Sequence, residues 1–279
     1  MSHQTSQPPR PGRLFLIPTP LDFGTEPAAD ADEVLLSELL PRSTIGQAAR
    51  ITHWIAENAK SARAFLKRVD RIEPLAAPIQ MQSIEVLPRL AHKKGDHRSA
   101  DGQDSQARAL LSAAMAGHDM GLVSEAGMPA IADPGSSIVR AAHALGIEVI
   151  PMVGPISLML ALAASGLNGQ SFAFVGYVPQ APDERRQRLQ ELEQISRKTG
   201  QTQICIETPY RNQAWIQTAV QCLHPETRLA VCYGLTIPAE QQCTSLTVSQ
   251  WRSRLGKNPT EAEMKKQVPS TPAVFLFGA

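Results

Sequence analysis

The amino-acid sequence predicts an α/β protein made of two α/β domains. Apolar runs of strand length alternate with segments of helical periodicity along most of the 279 residues. Many of the predicted strands end in turns rich in glycine and proline. This alternation is typical of a mostly parallel sheet covered by helices, which binds ligands at the carboxyl ends of its strands. The turn SGLNGQS, after which the character of the sequence changes, predicts a domain boundary.

We therefore expect a disordered leader at residues 1–12, an amino-terminal α/β domain at residues 13–166 and a carboxyl-terminal α/β domain at residues 167–279. The leader, MSHQTSQPPRPG, is polar and proline-rich and has no features of a secretory signal.

The four cysteines lack metal-binding or CxxC spacing, which favours reduced thiols in a cytosolic protein. The longest apolar helical run is far shorter than the roughly 20 residues that a membrane crossing needs. We expect a soluble cytoplasmic protein.

The first domain opens with RLFLIPTP, a strand halted by two prolines, and DADEVLLSELLP follows with helical spacing. QAARITHWIAENAKSARAFLKRV places Ile51, Ile55 and Ala59 on one side of a helix, and a short strand near residues 51–55 remains an alternative. From Ile84 to Gln103 the pattern is lost, which predicts a mobile loop. QARALLSAAMAG then predicts another helix.

Four further elements alternate before the boundary. MGLVS is a strand, SSIVRAAHALG a helix, IEVIPMV a strand and GPISLMLALAASG a helix of small residues. In the second domain SFAFVGYVP, TQICIETPYR, RLAVCYGLT and TPAVFLFGA predict strands, and APDERRQRLQELEQIS predicts a charged helix. The order supports two sheets, one in each domain.

Composition and motifs exclude several classes of function. Aromatic residues are only 5% of the chain, so there is no platform of stacked rings for single-stranded nucleic acid. The sequence has no P-loop, no GxGxxG after its first strand, no GxSxG and no histidines at metal-ligand spacing. With a net charge of +1, RNA binding would need local clusters such as HKKGDHR or ERRQRLQ. The alternative for these two runs is a solvated loop and a solvated helix face. No bound metal is expected.

The stretch GLVSEAGMPAIADPG is the most distinctive part of the chain. A short strand runs into a rigid loop that carries two carboxylates, Glu125 and Asp133. The carboxylates are consistent with an acid/base pair, or with side chains that cap the next helix and bind loop amides.

Four motifs occur together in one order: SEAGMPAIADPG, VIPMVGPIS leading to ASGL, FAFVGYVP and IETPYRN. They resemble the tetrapyrrole methylase superfamily of S-adenosylmethionine-dependent enzymes. The branch that methylates a ribose 2′-hydroxyl of small-subunit ribosomal RNA is most similar, with SDAGTPxISDPG, PGPSA, SGL, F-x-G-F-x-P and YESPHR. The resemblance extends from Leu14 to the carboxyl terminus and is dense from Gly121 to Asn212.

This resemblance implies S-adenosylmethionine as cofactor, bound in a cleft between the two α/β domains. It implies cofactor contacts from the loop after the first strand, the distinctive loop, the small-residue helix and the strand ends of the second domain. These contacts are Pro20, Met128, Ile131, Ser157, Leu160, Ala161, Ile206, Glu207, Gly234, Leu235, Pro272 and Ala273. For the small apolar residues, plain core packing is an equal alternative.

If the alcohol acceptor requires a base, Glu125 is the first candidate and Glu207 the second, and the alternative for either carboxylate is a structural role in binding loop amides. Arg211 is a candidate for orienting a phosphate or substrate carboxylate, or for a surface salt bridge.

Partners implied by the resemblance are ribosomal RNA and a second copy of the chain. The RNA would need a basic rim, and the dimer an apolar face. The rim is Lys93, Lys94, Arg98, Arg185, Arg186 and Arg211, and the face is Phe172, Phe174 and Val175.

The sequence departs from the ribosomal branch in places. It has TPLDFGT for TPIGNL, AENAKSA for the segment with AEDTR, and PSTP where the last strand usually begins KGE. These departures concern the acceptor more than the cofactor. Two alternatives therefore stay open: methylation of a tetrapyrrole or other small molecule, and an inactive module that binds S-adenosylmethionine.

Overall fold

The computed structural model describes residues 10–22, 36–88, 103–238, 240–256 and 271–279. Within it the chain divides into two compact units, residues 1–155 and 156–279. Each unit is built on one five-stranded sheet with helices against it. This is the predicted fold class of two α/β domains. Nine of the leader's twelve residues, 1–9, lie outside the described part of the chain.

The first unit contains a wholly parallel sheet of order β3-β2-β4-β1-β5. Its strands are β1 (Leu14–Leu16), β2 (His53–Ala56), β3 (Ser83–Val86), β4 (Met120–Val123) and β5 (Val149–Pro151). Its α-helices with described bounds are α1 (Arg42–Arg50), α2 (Ala59–Asp70), α3 (Gln103–Leu110), α4 (Ser112–Met115) and α5 (Ser136–Ala144). Because all five strands are parallel, their carboxyl ends share one edge.

Both faces of this sheet are buried because strand residues alternate between two apolar cores. Trp54 and Ala56 of β2 join a core with residues of α1 and α2. Ile55, between them, joins a second core with residues of α3, α4 and α5. Each helix layer thus holds one face of the sheet, which fixes the positions of the loops at the carboxyl edge.

The second unit contains a mixed sheet of order β6-β7-β10-β8-β9, in which only β6 and β7 pair in parallel. The strands are β6 (Phe172–Gly176), β7 (Thr202–Glu207), β8 (Arg228–Tyr233), β9 (Gln242–Thr247) and β10 (Ala273–Gly278). The helices are α6 (Ser157–Ser165), α7 (Pro182–Thr199), α8 (Asn212–Cys222) and α9 (Val248–Leu255). Leucines, tryptophans and phenylalanines from α7, α8, α9 and the sheet form one core.

Helix α6 belongs with the second unit rather than the first. It packs against β8, β9 and β10 and buries Leu158, Ala161 and Leu162. The chain therefore divides before this helix, whereas the sequence places the boundary after it at residue 166. The small side chains of α6 allow its close approach to the sheet.

Several local predictions differ from the structure. The segment at residues 51–58 is not helical: α1 ends at Arg50, α2 begins at Ala59, and the strand alternative is correct because β2 pairs on both sides. The predicted loop begins too early, since Ser83–Val86 forms β3, while residues 89–102 lie outside the described part. Strand β9 and helix α9 have no counterpart in the prediction. Among the described residues, no helix has the length and apolarity to span a membrane.

Gly121 on β4 makes room for the indole ring of Trp54 directly opposite on β2. A Cβ atom at residue 121 would lie 2.4 Å from that ring, which is almost wholly buried and donates a hydrogen bond to Gln82. We expect Gly121→Ala to lower the free energy of unfolding by about 1–3 kcal/mol through overpacking. Gly46→Ala in α1, where a Cβ would meet nothing within 4 Å, should instead stabilise by about 0.5–1 kcal/mol. Denaturant unfolding of both variants tests this, and equal stabilities would contradict it.

Candidate functional site

The carboxyl edge of the first sheet brings together the loops after β1, β2 and β4. A pair of backbone hydrogen bonds joins Thr19, after β1, to Gly127, after β4, each 3.0 Å long. The Thr19 hydroxyl also donates to the Ser124 carbonyl oxygen at 3.3 Å. Pro20 is buried next to this junction. The structure thus places Pro20 near the loop that contains Met128 and Ile131, as a shared site would require.

The loop after β4 has an unusual backbone. Gly127, Ala130, Ala132 and Gly135 all have positive φ, at 77°, 66°, 65° and 138°. For an L-residue such as alanine this conformation costs roughly 1–2 kcal/mol. The surrounding contacts must therefore hold the loop in place, and such held strain is concentrated at functional sites. Met128 is half-buried and Ile131 is 39% exposed, so the loop presents apolar side chains at its surface.

Three carboxylates and an amide meet at this edge. The Asn58 side-chain amide donates to Glu125 at 2.9 Å, and the Glu125 backbone amide donates to the Glu57 carboxylate at 3.2 Å. Asp133 lies within electrostatic range of both glutamates. Burial first, and then the charges of Glu57 and Glu125, raise the pKa of Asp133 to about 7. Asp133 is therefore the carboxyl group in this loop that titrates near neutral pH.

The two carboxylates that the sequence considers as an acid/base pair have different environments. Glu125 is exposed and accepts from Asn58. Asp133 is the more buried of the two. The buried hydroxyl oxygen of Ser124 has no hydrogen-bond partner in the described chain, so one donor at this edge remains available to a ligand.

In the second unit, the carboxyl ends of β7 and β8 meet the amino end of β10. Ala273 is paired in register with Glu207 on one side and with Tyr233 on the other. The register therefore gathers six of the predicted cofactor residues at one edge of the sheet. They are Ile206, Glu207, Gly234, Leu235, Pro272 and Ala273.

Glu207 and Arg211 form an ion pair rather than two free groups. The Arg211 guanidinium lies 2.6 Å from the Glu207 carboxylate, whose side chain is 2% exposed. The same carboxylate oxygen accepts from the backbone amide and the hydroxyl of Thr208. Arg211 also lies over the rings of Tyr177 and Tyr210, at 5.7 and 5.9 Å. Glu207 is thus a structural anchor for Arg211.

The second edge also fits a polar ligand. The buried hydroxyl oxygens of Thr236 and Thr271 have no hydrogen-bond partner among the residues that the structure describes. They lie next to the predicted contacts Leu235 and Pro272. Thr236 has a positive φ of 72°, so this turn resembles the first-unit loop in its strain. Unpaired buried hydroxyls are rare in native proteins and are satisfied when a ligand supplies the partner.

The remaining predicted residues lie on α6. Leu160 is 38% exposed, and Ser157 is half-buried at the start of the helix. Ala161 is fully buried, and its carbonyl oxygen accepts from the Cys232 thiol of β8 at 3.8 Å. Leu160 therefore has surface to offer a ligand, whereas Ala161 packs within its unit.

The predicted basic rim is not supported as a whole. Arg185 is a buried structural residue, which donates to the Thr218 hydroxyl at 2.9 Å and to the Gln180 carbonyl oxygen at 3.2 Å. The sequence prediction was wrong here because helix periodicity turns residue 185 inward. Arg186 is exposed, and Lys93, Lys94 and Arg98 lie outside the described residues.

Sequence reasoning missed features that only the fold reveals. Asn58 and Glu57, which bind Glu125, come from the segment whose strand the sequence left uncertain. The unpaired hydroxyls have no sequence signal at all. Across the described ranges, no group of three histidine, cysteine or carboxylate side chains is arranged to hold a metal ion.

Two α/β units with polar groups and strained turns at their strand ends define a ligand-binding α/β protein of enzyme type. The sequence matches the family described as Tetrapyrrole (Corrin/Porphyrin) Methylases over residues 42–250, and the chain belongs to this family. The crystal structure of the methyltransferase CobJ matches the fold with a TM-score of 0.54 at 16% identity, over 96% of this chain and 94% of that one.

Curated relatives carry the name Ribosomal RNA small subunit methyltransferase I. The protein from Xylella fastidiosa is 44% identical over 93 residues, 33% of this chain and 34% of the relative. The protein from Vibrio cholerae is 34% identical over 134 residues, 48% of this chain and 45% of the relative. The protein from Halalkalibacterium halodurans is 35% identical over 139 residues, 50% of this chain and 46% of the relative. The matched part of the chain thus spans between a third and a half of these relatives.

The raised pKa of Asp133 has a consequence for stability. A carboxyl group whose pKa is higher in the folded than in the unfolded state makes the protein lose stability as pH rises from about 4 to about 7. We expect Asp133→Asn to remove this loss and to be more stable than the parent by about 1–3 kcal/mol at pH 8, with no advantage at pH 4. Urea unfolding across this pH range measures the effect. Glu226→Gln, at an exposed position, is the matched control and should leave the pH profile unchanged.

Proposed function

We propose that this protein is an S-adenosylmethionine-dependent methyltransferase that acts on a ribose 2′-hydroxyl of small-subunit ribosomal RNA. Membership of the methylase family and the names of the relatives support the proposal. One structural observation carries it. The strand register brings the residues that the motifs assign to the cofactor together at one edge of the second sheet. An acceptor of this kind also supports a cytoplasmic location.

The residues present fit the proposed cofactor. Its polar adenosine and amino-acid groups require hydrogen-bond partners, and the unpaired buried hydroxyls of Thr236 and Thr271 are available for this role. Leu160 on α6, in the same unit, offers exposed apolar surface for the rest of the molecule. The cofactor supplies an electrophilic methyl group on a sulfonium centre.

In this mechanism the protein positions the acceptor hydroxyl and removes its proton. We propose Asp133 as the proton acceptor in place of Glu125 and Glu207. A base with a pKa near the working pH is both partly ionised and basic enough to take a proton in the transition state. Glu207 is committed to Arg211, and Glu125 is bound by Asn58. Orientation by a strained and rigid loop reduces the entropy that the reaction must lose.

Binding of the cofactor is tested on α6, where two neighbouring side chains are equally exposed. Leu160 is a predicted contact and Met159 is not, and their exposed fractions are 38% and 37%. Millimolar S-adenosylmethionine should raise the melting temperature of the parent protein and of Met159→Arg. Leu160→Arg should lose most of this gain while its own melting temperature stays close to that of Met159→Arg. Equal responses of the two variants would remove Leu160 from the site, and no response of the parent would overturn the cofactor assignment.

Methyl transfer is tested with labelled S-adenosylmethionine and small ribosomal subunits that lack the modification. Label on a ribose 2′-oxygen is the expected result. The rate should increase with pH through about 7 in the parent, whereas Asp133→Asn should lose about 100-fold or more in rate and retain cofactor binding. Label on a tetrapyrrole but not on RNA would favour the small-molecule alternative. Cofactor binding without transfer to either would favour an inactive module.

We also propose that the protein acts as a homodimer. Phe172 and Phe174 lie on β6, an edge strand of the second sheet, and are 39% and 37% exposed. Val175, the third residue of the predicted face, packs against the core of its own unit instead. Sedimentation velocity should show a dimer that the double variant Phe172→Ser/Phe174→Ser weakens. A monomeric parent protein would overturn this proposal.

A further inference from the structure

Two cysteines of the second unit face each other across adjacent strands. Cys232 on β8 and Cys243 on β9 are directly opposite in the antiparallel register. Residues opposite each other in such a pair have Cα atoms about 4.5 or 5.5 Å apart, and both separations lie within the range that a disulfide spans. The register therefore brings the two cysteines to a Cα separation that a disulfide can span.

The two thiols have different environments. Cys232 is fully buried, whereas Cys243 is half-buried on β9, an edge strand of the sheet. The hydrogen bond from Cys232 lowers the pKa of Cys243, and the same interaction, followed by burial, raises the pKa of Cys232. Cys243 is thus the more acidic and more accessible thiol, and Cys232 is a protonated neighbour that stabilises its thiolate.

Both thiols also contact α6. The Cys243 thiol lies 3.5 Å from the carbonyl oxygen of Ala164, and the Cys232 thiol lies 3.8 Å from that of Ala161. The Ser245 hydroxyl on β9 donates to the Ser165 carbonyl oxygen at 2.6 Å. The last four carbonyl groups of a helix have no partner within it. The Cys243 thiol and the Ser245 hydroxyl therefore satisfy groups at the carboxyl end of α6, whereas the Ala161 carbonyl lies one residue before these four.

We propose that Cys232 and Cys243 are a redox-sensitive modification site, in which Cys243 attacks an oxidant and Cys232 resolves the product to a disulfide. With a low-molecular-weight disulfide such as oxidised glutathione, the Cys243 thiolate displaces one thiolate and forms a mixed disulfide. Cys232 then loses its proton, attacks the Cys243 sulfur and releases the second thiolate. Two protein thiols lose two electrons and two protons, and one disulfide is reduced to two thiols.

Formation of the bond has a structural consequence at α6. Neither sulfur of a disulfide can donate a hydrogen bond, so the carbonyl oxygens of Ala161 and Ala164 lose their S–H donors. Of the three side chains Cys232, Cys243 and Ser245, only Ser245 then still donates a hydrogen bond to α6. We expect the carboxyl-terminal half of α6 to open more readily in the oxidised protein.

The site is tested on the full-length protein with oxidised glutathione at pH 7.5. Peptide mapping by mass spectrometry should find a disulfide between Cys232 and Cys243, and the number of free thiols should fall from four to two. Iodoacetamide should alkylate Cys243 about tenfold faster than Cys222, whose pKa is raised by burial. Two results would overturn the proposal. Either Cys232 and Cys243 stay reduced while Cys222 carries a glutathione adduct, or iodoacetamide alkylates Cys243 and Cys222 at equal rates.

Variants separate the two roles. Cys232→Ser should accumulate the mixed disulfide on Cys243, Cys243→Ser should form neither product, and Cys222→Ser should behave as the parent. Hydrogen exchange of the α6 amides should be faster in the oxidised than in the reduced parent, and unaffected by oxidant in Cys243→Ser. Unchanged exchange in a protein shown to contain the disulfide would overturn the link to α6.

Discussion

The backbone pairing of Thr19 with Gly127 is the constraint on which the first-unit edge depends. These two hydrogen bonds tie the loop after β4 to the loop after β1. The loop after β4 then has to pass through positive φ at two alanines, an arrangement that a free chain would avoid. The buried layers on both faces of the sheet hold the strand ends in place. The energy stored in the loop is therefore balanced by packing elsewhere in the same unit.

Much of the fold follows from the sequence because its signals are local. Proline and glycine turns end β1 and β4, and long charged periodicity defines α7. The failures occur where a signal is shared by two structures. Residues 51–59 have apolar spacing that fits a helix, but β2 is a central strand, and pairing with both β3 and β4 outweighs this preference. Similarly, α6 follows β5 without a linker-like composition, so only its packing on β8, β9 and β10 shows which unit it joins.

The candidate site is less predictable than the fold. Motif matching gathers the residues along the chain, but the register decides which of them share an edge, as Ala273 does with Glu207 and Tyr233. Arg185 illustrates the limit for charged residues, because a run of basic residues on a helix cannot show which one faces the core. Unpaired hydroxyls such as that of Thr236 arise from tertiary geometry and leave no pattern in the sequence.

The two edges place their carboxylates in opposite electrostatic environments, and the proposed proton acceptor is chosen on this difference. The Glu207 carboxylate is paired with Arg211 and accepts hydrogen bonds from Thr208, so its oxygens are committed to these contacts. Burial opposes the charge of Asp133 instead, and two nearby carboxylates oppose it further. A group whose charged and neutral forms are close in free energy can gain and lose a proton at little cost. Position in the loop, rather than residue type, thus underlies our proposal of Asp133 as the proton acceptor, with Glu207 as the anchor of Arg211.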